Sequence, residues 1–520
     1  MTVYFFRAEA VNMTPTVYDT SDISTIRGAG FYLLDRIKSL GQNSNYCEEL
    51  VTEGASAAVF KIETDTPEET RKEMLLFLYS INKKGNTLPE MTFIVEFLEC
   101  QNDFPTTMAA LQGKIRVSQM QSPTIRIFPE TLTSSGKSHE GRARTFDALN
   151  RVLPAHVTDN SKGELSKFTK NRRLQGIDLR KKIYSDLLKK YDIPANVLNF
   201  TEDLETLSKD PGQGNLNGKI AYIYIDGNKF GKLQRSLDER SLKEFDTALD
   251  NFKKEFLFRL IEYSRTNSIS CFTDPKVNGL IRLETLLWGG DEIKLIVPAW
   301  LGWTVATLFF KTVVDLDLKF ENKDLTYAMG MVLTHHKNPI RNIDNVAGIL
   351  VDAIKEEFVT EPMQKAPQYH KQWGNRMHCI VLESLETIPQ KNYQAFTKKQ
   401  YQTPSKDLSF TPETMKSICN LTQAINAAKF SRSRIHKIAK GWLKEKDLEK
   451  ASEYTLSLQR GLDFCNIDDD QKKDLFNRIS DVTGTEINEN KISNLIPQRG
   501  FRWLQVAELW DYLISKEGQN

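Results

Sequence analysis

Long apolar runs, cysteine pairs and an excess of one charge are all missing from this 520-residue chain. Positions 295–310 (LIVPAWLGWTVATLFF) carry no charge but fall short of the ~20 residues a bilayer requires, and Pro298 and Gly302 interrupt them. A strand end followed by a buried helix is expected there, and no membrane association. Cysteine occurs six times (Cys47, Cys100, Cys271, Cys379, Cys419 and Cys465), widely spaced and never as Cys-x-x-Cys. That pattern suits reduced thiols and argues against a disulfide framework or zinc knuckle. The 70 Lys and Arg face 68 Asp and Glu, so the net charge of +2 cannot draw the whole molecule to nucleic acid or acidic lipid, and any such attraction is local. The opening MTVYFFRAEA lacks a basic stretch leading into an apolar core, so no secretion signal is read and a cytoplasmic location is expected. Apolar residues at 40% and charged residues at 27% exclude a fibrous or wholly disordered chain. With ~100–200 residues per domain, two to four domains are expected.

Apolar periodicity divides what is present. Residues 1–105 read as strand, helix, strand, helix, strand. The first helix, in DISTIRGAGFYLLDRIKSL, has Ile26, Phe31, Leu34 and Ile37 at helical spacing behind Asp22 or Ser21 as a cap. The second opens on Pro67 and ends in Gly85, and SAAVFKIE and MTFIVEFLE are strands. This order is ferredoxin-like. Residues 106–215 are polar, basic and rich in turn formers, with SSGKSHEGR as an exposed loop. Within them SKFTKNRRLQGIDLRKKIYSDLLKK carries Lys167, Lys170, Arg172, Arg173, Arg180, Lys181 and Lys182, either as a solvated helix face or as an RNA or phosphate surface.

Residues 216–395 begin as strand IAYIYID, followed by a helix at about 238–264 with Phe245, Leu249, Phe252, Phe256 and Leu260 on one stripe. A hairpin, a helix, the strand TYAMGMVLTHH, the helix IDNVAGILVDAIKEEF and a last strand complete a second ferredoxin-like arrangement with an extra helix and strand. Residues 396–520 keep helical periods to the end. There Lys429, Arg432, Arg434, Lys437, Lys440, Lys444 and Lys446 face only Glu445, a density suited to a phosphate backbone, with Arg432, Arg434, Lys437 and Lys440 as candidate nucleic-acid contacts. The expected fold class is α+β: two ferredoxin-like units and a C-terminal all-α bundle.

The strand IAYIYID ends abruptly in Asp226-Gly227-Asn228, and two apolar strands flank Gly289-Gly290-Asp291-Glu292 at a hairpin tip. A hairpin needs no Gly-Gly-Asp-Glu in order to fold, since Asn-Gly suffices. Carboxylates on neighbouring strand ends, Asp226 and Asp291, can hold a pair of Mg²⁺ or Mn²⁺ ions through hard oxygens. Such ions bridge triphosphate oxygens and activate a hydroxyl for in-line attack on the α-phosphorus. Gly289 and Gly290 leave room for a base and ribose. Gly227, Asn228, Phe230 and Gly231 form a turn whose N–H groups can meet the outer phosphates. The competing reading is that both acids cap loops.

IDGNKFG followed by LLWGGDEIKLIVP resembles the palm domain shared by GGDEF-type nucleotide cyclases, class III cyclases and the large subunit of type III CRISPR effector complexes, the Csm/Cmr large-subunit family. AMGMVLTHHKNPI resembles that subunit's strand running into Ala-His-x-Lys-x-Pro. ILVDAIKEE is similar to its helix ending in Ala-x-Lys, whose lysine faces the triphosphate in palm cyclases. FSRSRIHKIA resembles the segment opening its C-terminal helical domain, and SDISTIRGAGFYLLDRI the one opening its first palm, with SAAVF at a degenerate turn. The resemblance implies a degenerate palm at 1–105, a basic connecting region without a zinc ribbon at 106–215, a catalytic palm at 216–395 and a helical domain at 396–520. It implies nucleotidyl transfer from ATP or another NTP with two Mg²⁺ or Mn²⁺ ions, giving a cyclic nucleotide or oligonucleotide messenger, such as cyclic oligoadenylate, in antiviral defence. Asp226, Asp291 and the Gly227 carbonyl would hold metal, Glu292 would position a metal or water, and Lys355 and Lys337 would balance the polyphosphate. The implied partners are the NTP and either guide RNA with other CRISPR subunits or a second copy of the chain.

Departures from the family pattern qualify this. No His-Asp pair precedes the first palm, so HD nuclease chemistry is not expected, and DALNRVLPAH carries no cysteine where the family has a zinc cluster. Gly-Gly-Asp-Glu stands for Gly-Gly-Asp-Asp, and Asp-Gly-Asn for Asp-Gly-Asp. Glu292 keeps charge and oxygens, whereas Asn228 loses a charge. Two other readings stay open: a non-catalytic nucleotide- or RNA-binding scaffold, and a diguanylate cyclase, against which the two-palm layout and the C-terminal bundle argue.

Overall fold

The computed structural model describes residues 2–42, 49–54, 56–80, 88, 90–100, 103–123, 146–192, 199–266, 273–274, 280–357, 374–383, 393–444, 448–463, 465, 467–483, 486–488, 491–494 and 500–514. The loop SSGKSHEGR, the helix end at Gly85, and Cys47, Cys271, Glu445 and Lys446 lie outside them. The fold is α+β: two ferredoxin-like sheets, then helices.

In the first unit β1 (Thr2–Val11) leads through α1 (Ile23–Gly41) to β2 (Glu49–Glu53) and β3 (Ala57–Thr64). Then α2 (Pro67–Tyr79) leads to β4 (Thr92–Glu99). The sheet order β2-β3-β1-β4 is that of a ferredoxin-like unit. The fourth strand, β2, is an addition to the sequence expectation: in ELVTE only Val51 is buried, so no alternation betrays it. Asp22 caps α1 by accepting the Thr25 N–H at 2.9 Å. Next come α3 (Phe104–Gln121) and the basic helix α4 (Lys167–Leu188).

Helix α4 divides its charge between the interior and solvent. Its arginines turn inward: Arg172 forks onto Asp19 at 2.8 and 2.9 Å, and Arg173 pairs with Asp22 at 2.9 Å. Arg180 donates to the carbonyls of Thr201 and Leu283 and lies 3.4 Å from Glu284, which also receives Arg27 of α1 at 2.5 Å. Arg27 and Glu284 are each 2% exposed. Such a charge cluster is tolerable only when every member is paired. The backbones of α1 and α4 touch, since a Cβ at Gly28 would lie 1.7 Å from the Arg172 carbonyl oxygen. Lys167, Lys181 and Lys182 remain exposed.

The second unit runs β5 (Lys219–Gly227), α5 (Glu239–Thr266), β6 (Glu284–Gly289), β7 (Glu292–Pro298), α6 (Gly302–Asp315) and β8 (Tyr327–His335). Helix α7 (Ile340–Glu357) and β9 (Arg376–Leu382) follow, and the sheet order is β6-β7-β5-β8-β9. Only the β8–β9 pair is parallel, as its crossover helix requires. The period of β5 separates two cores. Ile223 and Ile225 join the cluster holding Phe245, Leu249, Phe252, Phe256 and Leu260 of α5, while Tyr222 joins Ile343, Ala347 and Leu350 of α7. The uncharged stretch at 295–310 is the end of β7 plus most of α6, and among the described residues no helix is long and apolar enough to cross a membrane.

Past β9 come α8 (Tyr393–Tyr401), α9 (Pro412–Ala427), α10 (Arg432–Lys444), α11 (Leu448–Asp463), α12 (Asp469–Thr483) and α13 (Gly500–Leu513). Two short strands, Glu486–Asn488 and Lys491–Asn494, interrupt the helical series that periodicity led us to expect. Helix α13 buries Trp503, Leu504, Val506, Ala507 and Trp510.

Candidate active site

The topology delivers two strand ends to one place. Because β7 pairs antiparallel with β5, the first residue after the hairpin turn, Glu292, lies directly opposite Asp226, the penultimate residue of β5. Gly290 and Asp291 form the two-residue turn between Gly289 and Glu292. Gly290 adopts φ +52°, a left-handed conformation that glycine accepts without steric penalty, and a Cβ there would meet only open space. A side chain at Gly227 is excluded instead by the Phe230 ring, 2.4 Å from its would-be Cβ.

One phenol ties the acids together. Tyr224 donates to Glu292 Oε1 at 2.9 Å and lies 3.4 Å from Asp226 Oδ2. Burial and then the charges of Glu292 and Asp226 push its own ionisation far up, so it stays a donor. Behind it the Lys294 ammonium sits 4.7 Å from the Tyr224 ring centre and 2.7 Å from Asp344. Asp291 is pushed up to about 6, first by burial and then by the negative charges of Asp226 and Glu292. Opposing charge comes from two helices. Lys355, in the last turn of α7, places Nζ 2.6 Å from Asp226 Oδ2 and 3.2 Å from the Gly227 carbonyl. Lys253 of α5 is buried and senses Asp250, Asp246 and Asp291, with desolvation pulling its pKa down.

The turn borders two cavities that share the Gly289–Gly290 rim. One, of about 420 Å³, also has Arg7, Thr52 and Ser56 of the first unit and Arg235 around it. The other, of about 780 Å³, is lined by Lys38, Asp246, Lys253, Lys254 and Trp288. Both volumes suit a nucleotide-sized ligand. The oxygens of Asp226, Asp291, Glu292 and Gly227 are hard donors, the type that Mg²⁺ and Mn²⁺ take. Asn228 Oδ1, buried and without a hydrogen-bond partner, is a further donor of that kind. Among the described residues no three His, Cys, Asp or Glu side chains are gathered as a finished metal set. Asp226 and Glu292 are held by Lys355 and Tyr224 instead.

Several expected site residues lie elsewhere or act differently. Lys337 is displaced from the acids: it follows β8, whose end, His335, pairs with Lys219 at the start of β5. Seven residue steps at about 3.3 Å each separate the two ends by roughly 23 Å. His335 and His336 share that remote end, where His336 contacts the Gly218 carbonyl at 2.8 Å. Phe230 is a core residue, edge-on to Phe245 and Tyr327, and lines neither of the two cavities at the turn. Asn228 cannot offer its N–H to phosphate, because that group donates to the Thr326 carbonyl at 2.8 Å while Nδ2 donates to Thr326 Oγ1 at 3.0 Å. Gly231 is exposed and borders the smaller cavity. In the C-terminal helices Arg432 is pinned to Asp511 at 2.6 Å and to the Ala507 carbonyl at 2.8 Å, whereas Arg434, Lys437 and Lys440 are exposed. Sequence reasoning passed over Tyr224, although its place two residues before Asp226 puts it on the same strand face. It had no signal for Lys253 or Thr326.

No protein-family model matches the chain, and neither does any curated protein. Solved structures do share its fold. A crystal structure of a Csm1–Csm4 cassette in complex with pppApA aligns with a TM-score of 0.53 at 12% identity, covering 98% of this chain and 69% of that one. A crystal structure of Csm1 in T.onnurineus gives the same 0.53, 12%, 98% and 69%. At this identity the likeness is one of architecture: from the first sheet to the helical end, the chain is built like Csm1.

Proposed function

We propose that the chain is a nucleotidyltransferase of the type III CRISPR large-subunit kind, which joins NTPs into a cyclic oligonucleotide. The observation that carries this reading is the facing pair Asp226 and Glu292, with Asp291 beside them on a glycine turn at the rim of two cavities. In the reaction a ribose 3′-hydroxyl attacks the α-phosphorus of a second NTP, the bond to the β-phosphate oxygen breaks and pyrophosphate leaves. Divalent ions on Asp226, Asp291 and the Gly227 carbonyl would supply charge neutralisation and acidify the attacking hydroxyl. Gly290 leaves space for sugar and base, Tyr224 fixes Glu292, and Lys355 and Lys253 bring positive charge toward the polyphosphate. The pppApA held by the Csm1–Csm4 cassette supports ATP as the first substrate to test, since one transfer between two ATP molecules yields that compound. The same cassette supports a second protein subunit as partner. The exposed Arg434, Lys437 and Lys440 are the proposed contacts for RNA.

A scaffold that binds nucleotide without turning it over is the second reading. It is favoured by Asn228, whose N–H and amide nitrogen are both engaged by Thr326. Labelled ATP and GTP with Mn²⁺, with and without RNA, followed by mass spectrometry of the products, separates the two. Cyclic oligonucleotide that disappears in Asp291→Ala supports the enzyme. Unchanged NTP with persisting NTP binding supports the scaffold, and cyclic di-GMP from GTP alone supports a diguanylate cyclase.

A further inference from the structure

We infer that Lys355 is a built-in competitor of the divalent ion: its ammonium holds the metal ligands until a triphosphate draws it away. This rests on the nucleotidyltransferase reading and adds an order of loading to it. Lys355 Nζ lies 2.6 Å from Asp226 Oδ2 and 3.2 Å from the Gly227 carbonyl oxygen, so it engages two of the three groups assigned to metal. An ammonium and a divalent ion cannot share these oxygens, because like charges a few ångströms apart repel strongly in a partly desolvated cleft. The pair is well placed to persist. Lys355 sits in the last turn of α7, where the helix dipole favours a cation, and its side chain is 27% exposed against 17% for Asp226. Asp291 has a second ammonium to answer it in Lys253 from α5.

A polyphosphate changes this balance. Its several negative charges attract the lysine, whose flexible four-carbon stem allows the head to swing without moving α7. The oxygens of Asp226 and Gly227 are then released to the ion that accompanies the nucleotide. By linkage, the triphosphate raises metal affinity and the metal raises triphosphate affinity by the same factor. The site therefore loads nucleotide and metal together and resists metal alone.

Mn²⁺ titration of the full chain, read as loss of the free-ion electron paramagnetic resonance signal with no nucleotide present, tests this directly. Lys355→Met and the near-isosteric Lys355→Gln are expected to bind Mn²⁺ about tenfold more tightly than the parent, within the range ordinary for such coupling. A non-hydrolysable ATP analogue should then sharpen Mn²⁺ binding more in the parent than in either variant. Lys232→Ala, an exposed lysine nearby in the chain, controls for loss of charge alone and should leave the affinity unchanged. Parent-like or weaker Mn²⁺ binding in both Lys355 variants overturns the inference. If the parent's binding is also lost in Asp226→Asn, the nucleotidyltransferase reading survives that result. If no protein of the set binds Mn²⁺ with or without the analogue, both fall.

Discussion

The second sheet repeats the four-strand order of the first and adds β9, yet the two end in different chemistry. In the second, Asp226 faces Glu292 across the pair, and Asp291 sits on the turn between β6 and β7. In the first, the corresponding strand residue is Glu9, facing Ala57, and Gly54 and Ser56 stand near the tip in place of acids. Glu9 is paired within the first unit, with Arg7 of its own strand at 2.8 Å and Arg116 of α3 at 3.5 Å. A ferredoxin-like unit thus always brings the end of its first strand beside its hairpin tip. What happens there depends on whether the acids find a ligand or an arginine.

The sharpest way to break this comparison is to neutralise each end in turn. Asp291→Ala should lower product formation at least about 100-fold, the scale of losing one transition-state contact. Glu9→Gln should stay within roughly threefold of the parent, as expected of a residue that makes no such contact. Equal losses from both, measured by product yield, would show that the first sheet takes part in the chemistry. Next in size is the seam between the units. Glu284→Ala leaves Arg27 and Arg180 without their carboxylate and should lower stability by about 3–5 kcal/mol in urea unfolding. Gly28→Ala should lower it by about 2 kcal/mol, because overpacking against the Arg172 carbonyl outweighs the ~1 kcal/mol gain in helix propensity.

Of similar size is a pH dependence that arises in the first unit. Burial pushes Glu90 up from its ordinary 4.5 to about 7, with Arg172 opposing. The folded chain therefore keeps this proton where the unfolded chain has lost it, and stability falls as pH rises from about 4.5 to about 7. Between pH 5 and 8 the Glu90 share of the fall should be on the order of 2 kcal/mol, and Glu90→Gln should lessen the fall by that amount in urea midpoints taken at the two pH values.

Much of the second sheet was legible because β5 alternates Tyr and Ile, apolar strands flank the hairpin tip, and the glycines fix the turn. The pairing of Asp226 with the tip followed from two adjacent antiparallel strands. Lys337 was misplaced because a motif gives order along the chain and not which end of a sheet it occupies; the antiparallel β5–β8 pair decides that. Basic helix α4 was unreadable for another reason. Its partners Asp19, Asp22 and Glu284 lie more than 100 residues away, so composition shows a charged face where packing makes a buried seam. Phe230 was assigned to nucleotide because it belongs to the turn motif, but an aromatic so close to a strand end is claimed first by the core.

The arginine seam has a mechanical consequence. Helix α4 grips the segment leading into α1 of the first unit and Glu284 of the second through largely buried charges, and Arg27 of α1 meets the same Glu284. A jaw-like parting of the two halves would strand those charges, at several kcal/mol for each ion left alone. Guests entering the cleft above Gly290 must therefore be admitted by the swing of individual side chains, with the frame around them held still.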